Sequence, residues 1–237
     1  MNSTDILQEI PAKTFVIIPA FNEALSIDKV IAEIPKGAAE IVVVNNNSSD
    51  RTALVAAENG ATVLDEPKQG YGFACLKGLE YIRKKEPDIV VFLDADYSDF
   101  PEEMPQLIAP IALGNFDMVI GSRALGERER GSMTPQQIFG NWLATNLIQL
   151  FFKVKYTDLG PFRAIRYSSL LQLQMEDQTY GWTVEMQLKA AKYGLNVTEV
   201  PVSYKKRIGK SKVSGTIKGT VLAGYKILSW IFKYALK

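Results

Sequence analysis

Asp94 and Asp96 stand one alanine apart, directly after an apolar run, in the segment 88–99 that reads DIVVFLDADYSD. A short apolar run of this kind reads as a buried parallel strand. In an open α/β sheet such a strand delivers the residues after it to the carboxyl edge, where ligands bind. Two carboxylates at that edge suit a hard divalent cation that also takes substrate phosphates as ligands. The chemistry suggested is on a metal-bound diphosphate.

Other segments could join this edge. Pro19-Ala20-Phe21-Asn22-Glu23 follows the first apolar run, where Glu23 either projects toward a ligand or simply opens a helix favourably. Asn45-Asn46-Asn47-Ser48-Ser49-Asp50 could read a base or ribose hydroxyls, or could serve as turn and helix cap. Gly70, in Lys68-Gln69-Gly70-Tyr71-Gly72, lets backbone approach a nucleotide at a helix start, although the dinucleotide fingerprint is not completed. The run 205–212, KKRIGKSK, packs five cations around a glycine, as a phosphate clamp or a solvated loop would. Arg123, after Gly121-Ser122, is a second phosphate contact or a surface ion pair.

Alternating segments must position these residues. Strand-like runs at 15–18, 40–44, 61–64, 89–93 and 118–121 interleave with helix-like runs at 27–34, 50–59, 72–84 and 102–113. That rhythm predicts βαβ units in a doubly wound, mostly parallel sheet covered on both faces. A polar loop at 124–135, expected to be mobile, interrupts it. Helical periodicity returns at 136–152 and 182–192, Gly194 is a C-cap, 196–202 is a late strand, and one helix runs from Thr216 onward.

Composition excludes several functions. The 237 residues carry 27 basic and 26 acidic side chains, so no global field points to nucleic acid. With no histidine, Ser-His-Asp and Cys-His catalysis are out, and carboxylates are left as bases. The single cysteine, Cys75, allows neither an internal disulfide nor a zinc cluster and is expected to be a buried apolar residue. The N-terminal residues lack the pattern of a signal peptide, so the expected location is cytoplasmic. The segment 221–236 is apolar and aromatic but carries Lys226 and Lys233; it could lie on a bilayer or form a dimer contact, not span a membrane.

In order along the chain, PAFNE, the Ser-Asp pair of NNNSSD, KQGYGFACLKG, LDADYSD, GSR, DLGPFRAI, TVEMQ and EVPVSYKKRIGKSK resemble the inverting GT-A glycosyltransferases of family 2, over about residues 15–216. Within that family the likeness is to polyprenol-phosphate (dolichyl-phosphate) mannosyl and glucosyl transferases. It implies a Rossmann-like GT-A domain over 1–215, with the helix 216–237 as part of it or as a peripheral membrane anchor. It implies transfer of a hexose from UDP-glucose or GDP-mannose, with Mg²⁺ or Mn²⁺, to a polyprenyl phosphate at the cytoplasmic face of the membrane. The alternatives are a soluble transferase using a small hydroxyl acceptor and a nucleotide-sugar binding protein without turnover; a homodimer is compatible with each.

Carried over by residue, the resemblance implies that Asp94 and Asp96 take the ribose and the metal. The donor side would comprise Pro19, Ala20, Phe21, Glu23, Asn45, Asn46, Asp50, Gly70, Ala95, Arg123, Arg207 and Lys212. Asp158, Gly160, Arg163 and Trp182 would shape the acceptor side. Glu185 would be the acceptor-facing acid, needed as a base only for a hydroxyl acceptor. The sequence departs from the family where Asp-Asp-Gly-Ser is replaced by Asn45-Asn46-Asn47-Ser48, and Ser-Gly-Phe-Arg by Gly160-Pro161-Phe162-Arg163.

Overall fold

A computed structural model describes residues 13–209, 211 and 217–236. Strands β1 (Thr14–Ala20), β2 (Glu40–Asn45), β3 (Thr62–Asp65) and β4 (Ile89–Phe92) alternate with helices α1 (Ile27–Glu33), α2 (Thr52–Glu58) and α3 (Tyr71–Ile82). All pairings among these strands are parallel, as the βαβ rhythm predicts. The remaining strands and α-helices are α4 (Met104–Ala112), β5 (Met118–Ser122), α5 (Pro135–Phe152), β6 (Arg163–Arg166), α6 (Tyr167–Leu173), α7 (Trp182–Lys192), β7 (Val197–Pro201) and α8 (Ile217–Ala235). The seven strands lie in the order β3-β2-β1-β4-β6-β5-β7.

One strand was not anticipated. β6 runs antiparallel between β4 and β5, so the segment expected only to shape the acceptor side is also part of the sheet. The architecture is α/β with a mostly parallel sheet. Alternate residues of β1 feed two cores, as the period-2 geometry of a strand requires. Phe15 and Ile17 pack with α3, α5, α7 and α8 on one face, whereas Val16 and Ile18 pack with α1 and α4 on the other. Cys75 is fully buried in the first of these, as expected of a small apolar residue.

Helix α5 begins where Thr134-Pro135-Gln136-Gln137 supplies a capping box and a proline together. Thr134 accepts from the Gln137 amide, the Gln137 side chain accepts from the Thr134 amide, and Pro135 takes the first helical position. The expected mobile segment before it is laid against the chain beyond β7. Glu129 N donates to Tyr204 O, and Tyr204 N donates to Glu127 O. Gly126 permits this approach, since a Cβ there would sit 2.0 Å from Val202 O.

Candidate active site

The carboxyl ends of β1, β2 and β4 meet at one edge of the sheet. Three non-glycine residues there adopt left-handed backbone, Asn22 (φ 55°), Asn47 (φ 61°) and Tyr97 (φ 63°). Asparagine tolerates that region, whereas an aromatic residue in it has to be held by its surroundings. Tyr97 is held by a hydrogen bond to Glu33 and by Lys205 stacked 3.3 Å from its ring centroid.

Asp94 and Asp96 follow β4 with different partners. Asp94 Oδ1 accepts from the Tyr71 hydroxyl at 3.0 Å. Asp96 is buried; its Oδ1 accepts from Ser98 N at 2.9 Å, and its Oδ2 is 2.9 Å from Arg207 Nη1. The other terminal nitrogen of Arg207 reaches Glu23 Oε1, also at 2.9 Å. One guanidinium therefore joins a residue after β1, a residue after β4 and the loop beyond β7. Lys212, expected beside Arg207, lies outside the described residues.

Asp99 adds a third acid. It is buried and, among the described residues, neither carboxylate oxygen has a hydrogen-bond partner. Burial, followed by the charges of Asp94 and Asp96, pushes its carboxyl well above the usual range. The same two causes, burial and then the Asp96 charge, raise Asp94 from 3.8 to about 7. This fixes the sign of a pH effect. Below about 3.8 Asp94 is protonated folded and unfolded, and it costs nothing; the penalty for ionising it grows with pH and is complete above about 7. Thermal unfolding of the metal-free protein at pH 5 and pH 8 should show a drop of a few degrees that Asp94→Asn narrows.

The donor set of this edge is all oxygen, carboxylates first, which suits a hard divalent ion. Among the described residues no three His, Cys, Asp or Glu side chains gather as a complete cage. An ion here would rest on one or two carboxylates and fill its shell from a diphosphate and water, as Mg²⁺ prefers. A cation bound beside it would favour the ionised form of the buried Asp99 carboxyl. The residues present fit such a group.

The loops after β1 and β2 brace each other. Asn22 N donates to Ser48 Oγ, Glu23 N to Thr52 Oγ1 and Ala24 N to Asp50 Oδ2. Asp50 Oδ1 also accepts from Thr52 N, so this carboxylate serves the turn and helix start. Asn46 spends its whole amide on the loop before α3: it donates to Glu66 O and Lys68 O and accepts from Gly70 N at 2.8 Å. An aspartate could not make those two donations. Asn45 ties Asp65 to Ser48 N. Pro19 and Ala20 are buried in β1, Phe21 is half-buried just after it, and Ala95 is buried between the two acids.

On the other side of the edge, Arg123 forms a bidentate pair with Asp158, at 2.8 Å and 2.7 Å, while its guanidinium sits 5.0 Å from the Tyr204 ring centroid. Burial opposes the Arg123 charge, but Asp158 more than offsets it, and the pKa is raised. Gly160 has no room for a side chain, because a Cβ would stand 2.9 Å from Gly121 O. Beside this pair lies a cavity of about 280 Å³, lined by Arg128, Met133, Ile138, Trp142 and Asp158 among others.

Three expected site residues are buried. Arg163 is fully buried and donates to Gly160 O, Leu159 O and Thr183 O. Burial lowers its pKa to about 10. Trp182 packs edge-on against Phe92 at 5.7 Å in the core. Glu185 is fully buried, accepts from Glu176 N and Asp177 N at 2.8 Å each, and pairs with Lys189 at 2.6 Å. Conversely, Tyr71, Ser98, Asp99 and Tyr204 were not singled out from sequence. Ser98 and Asp99 lie two and three residues after Asp96, and short polar residues in the turn that follows the acid pair are the signal that points to them.

The family model described as glycosyl transferase family 2 matches residues 15–173. The chain belongs to glycosyltransferase family 2. Its relatives include an uncharacterized glycosyltransferase of Mycobacterium tuberculosis (strain ATCC 25618 / H37Rv), 36% identical over 210 residues, covering 88% of this chain and 93% of the relative. The undecaprenyl-phosphate mannosyltransferase of Micrococcus luteus is 28% identical over 220 residues, covering 87% and 90%. Among solved structures, glucosyl-3-phosphoglycerate synthase from Mycobacterium tuberculosis, in complex with Mn²⁺, UDP and phosphoglyceric acid, superposes with a TM-score of 0.77 at 19% identity, covering 99% of this chain and 82% of that one. That likeness shows the GT-A fold of this family-2 enzyme.

Proposed function

We propose that the protein transfers a hexose from UDP-glucose or GDP-mannose to a polyprenyl phosphate, with inversion and with Mg²⁺ or Mn²⁺. The observation that carries this is the gathering of Asp94, Asp96, Glu23 and Arg207 at one sheet edge of a family-2 chain. Asp96, with Asp94 beside it, would hold the ion, which would neutralise charge growing on the departing diphosphate. Arg207 would take a phosphate oxygen in exchange for one of its two carboxylates. The bidentate hold of Asp158 fixes the Arg123 guanidinium at the opposite lip. Tyr71 holds Asp94, and Ser98 orients Asp96.

A phosphate acceptor is anionic near neutral pH and needs no base. A hydroxyl acceptor would need one, and both oxygens of Glu185 are already used by backbone amides and Lys189. This favours the phosphate. An isoprenoid tail would have apolar surface to follow: Ile138, Phe139 and Trp142 are exposed on α5, and Phe151 of α5 meets Phe232 of α8 at 5.8 Å. Val221, Leu222 and Tyr225 extend this surface along α8. We assign this exposed apolar face to a bilayer surface; no helix among the described residues is long and apolar enough to cross a membrane.

Purified protein incubated with each nucleotide sugar, Mn²⁺ and a short polyprenyl phosphate should yield a lipid-linked hexose of inverted configuration. Absence of lipid-linked product with every donor would overturn the acceptor reading. Product formed only with a hydroxyl acceptor would replace it.

A further inference from the structure

Helix α8 is connected to the acid pair by a continuous set of hydrogen bonds. Trp230 is buried on its inner face, and its indole N–H donates to Asp177 Oδ2 at 2.6 Å, where Lys226 also pairs at 3.1 Å. The second oxygen of Asp177 accepts from Thr179 N at 2.8 Å and Gly181 N at 2.9 Å, so this carboxylate shapes the whole turn 177–181. The turn then presents its carbonyls to the start of α3. Gly72 N donates to Thr179 O at 3.1 Å and Phe73 N to Gln178 O at 3.0 Å. Amides in the first turn of a helix have no partner within it, so an external acceptor fixes where that turn sits.

The contact is close enough to transmit position. A Cβ on Gly72 would stand 2.0 Å from Asp177 O, and one on Gly70 2.3 Å from Gln178 O. Between these glycines stands Tyr71, whose hydroxyl holds Asp94. Moving the turn therefore moves the residue that orients the first acid.

We propose that Asp177 and Trp230 are positioning residues of the active site: α8, through the 177–181 turn and Tyr71, sets where Asp94 stands and how well the acid pair takes a divalent ion. This rests on the metal-holding role proposed above for Asp94 and Asp96. Neither Asp177 nor Trp230 touches substrate in this account. Its consequence is that the helix whose outer face is assigned to the bilayer also holds a donor-site acid in place.

The test is a double-mutant cycle on the full chain, with Mn²⁺ binding read by electron paramagnetic resonance on wild type, Trp230→Phe, Tyr71→Phe and the double variant. Trp230→Phe, which removes the indole donor, should weaken Mn²⁺ binding about three- to tenfold, and the double variant should bind no more weakly than Tyr71→Phe alone. Losses that multiply would overturn the path through Tyr71, as would unchanged binding in Trp230→Phe. If Trp230→Phe does not fold, Lys226→Met replaces it with amide hydrogen exchange as readout. Faster exchange at Gly72 and Phe73, with β3 unchanged, supports the coupling, and no change overturns it. A wild type that binds no Mn²⁺ removes the metal reading itself, and that result precedes any substitution.

Discussion

Asp96→Asn is expected to lower hexose transfer by about 10²–10³-fold or more while the protein stays folded. The amide keeps the shape of the carboxylate and can still accept from Ser98 N through one oxygen. What it loses is the charge that pairs with Arg207 at 2.9 Å and that would hold a cation under the diphosphate. Arg207 keeps Glu23, so the cleft retains one of its two ion pairs. Both pairs are partly shielded from water, and the loss of one should cost about 1 kcal/mol, a few degrees in Tm. Initial rates with the active donor, together with a thermal scan, check this. A rate within tenfold of wild type would remove the end of β4 from the chemistry.

The same cleft shows which features of the protein were readable in advance. The βα alternation was legible because each strand is a short apolar run and each helix a one-sided one, and local periodicity reports both. The acid pair was legible for the same reason: it directly follows the most apolar strand. β6 was not. Its four residues, Arg163-Ala164-Ile165-Arg166, begin and end in arginine, and only tertiary packing makes a fully buried Arg163 acceptable in a strand. Its antiparallel insertion between β4 and β5 has no local sequence signal at all.

The cation run beyond β7 illustrates the limit of charge counting. Lys205 stacks on Tyr97 and Phe100, and Lys206 pairs with Glu129. Arg207 alone of these three turns into the cleft, to meet Glu23 across 184 residues of sequence. Spacing within the run does not distinguish them; the pairing of residues 204–208 with the loop after Asp96 does, through Lys205 N to Ser98 O and Ile208 N to Asp96 O. Asn46 follows the same logic. Its residue type suggested base reading or a turn, and its fully used amide places it as the tie between the β2 end and the loop before α3.

Glu185→Gln is expected to act mainly on stability. The residue is fully buried and its carboxylate receives two backbone amides and the Lys189 ammonium, itself only 4% exposed. Glutamine can keep its Oε1 toward Glu176 N and Lys189, but its NH₂ then faces Asp177 N, donor against donor, and the buried Lys189 ammonium is left without a countercharge. Breaking a buried pair from one side costs about 3–5 kcal/mol, which corresponds to roughly 10 °C in Tm for a chain of this size. Glu185→Gln combined with Lys189→Met should recover much of that loss, because the unpaired cation is gone. Below its lowered Tm, Glu185→Gln should keep transfer within about tenfold of wild type, since the 177–181 turn loosens but no proton-transfer group is lost. Removing a true general base would instead cost about 10²–10⁴-fold with the fold unperturbed. Thermal scans and initial rates on the single and double variants separate the two outcomes, and a large rate loss at unchanged Tm would return Glu185 to the acceptor side of the cleft.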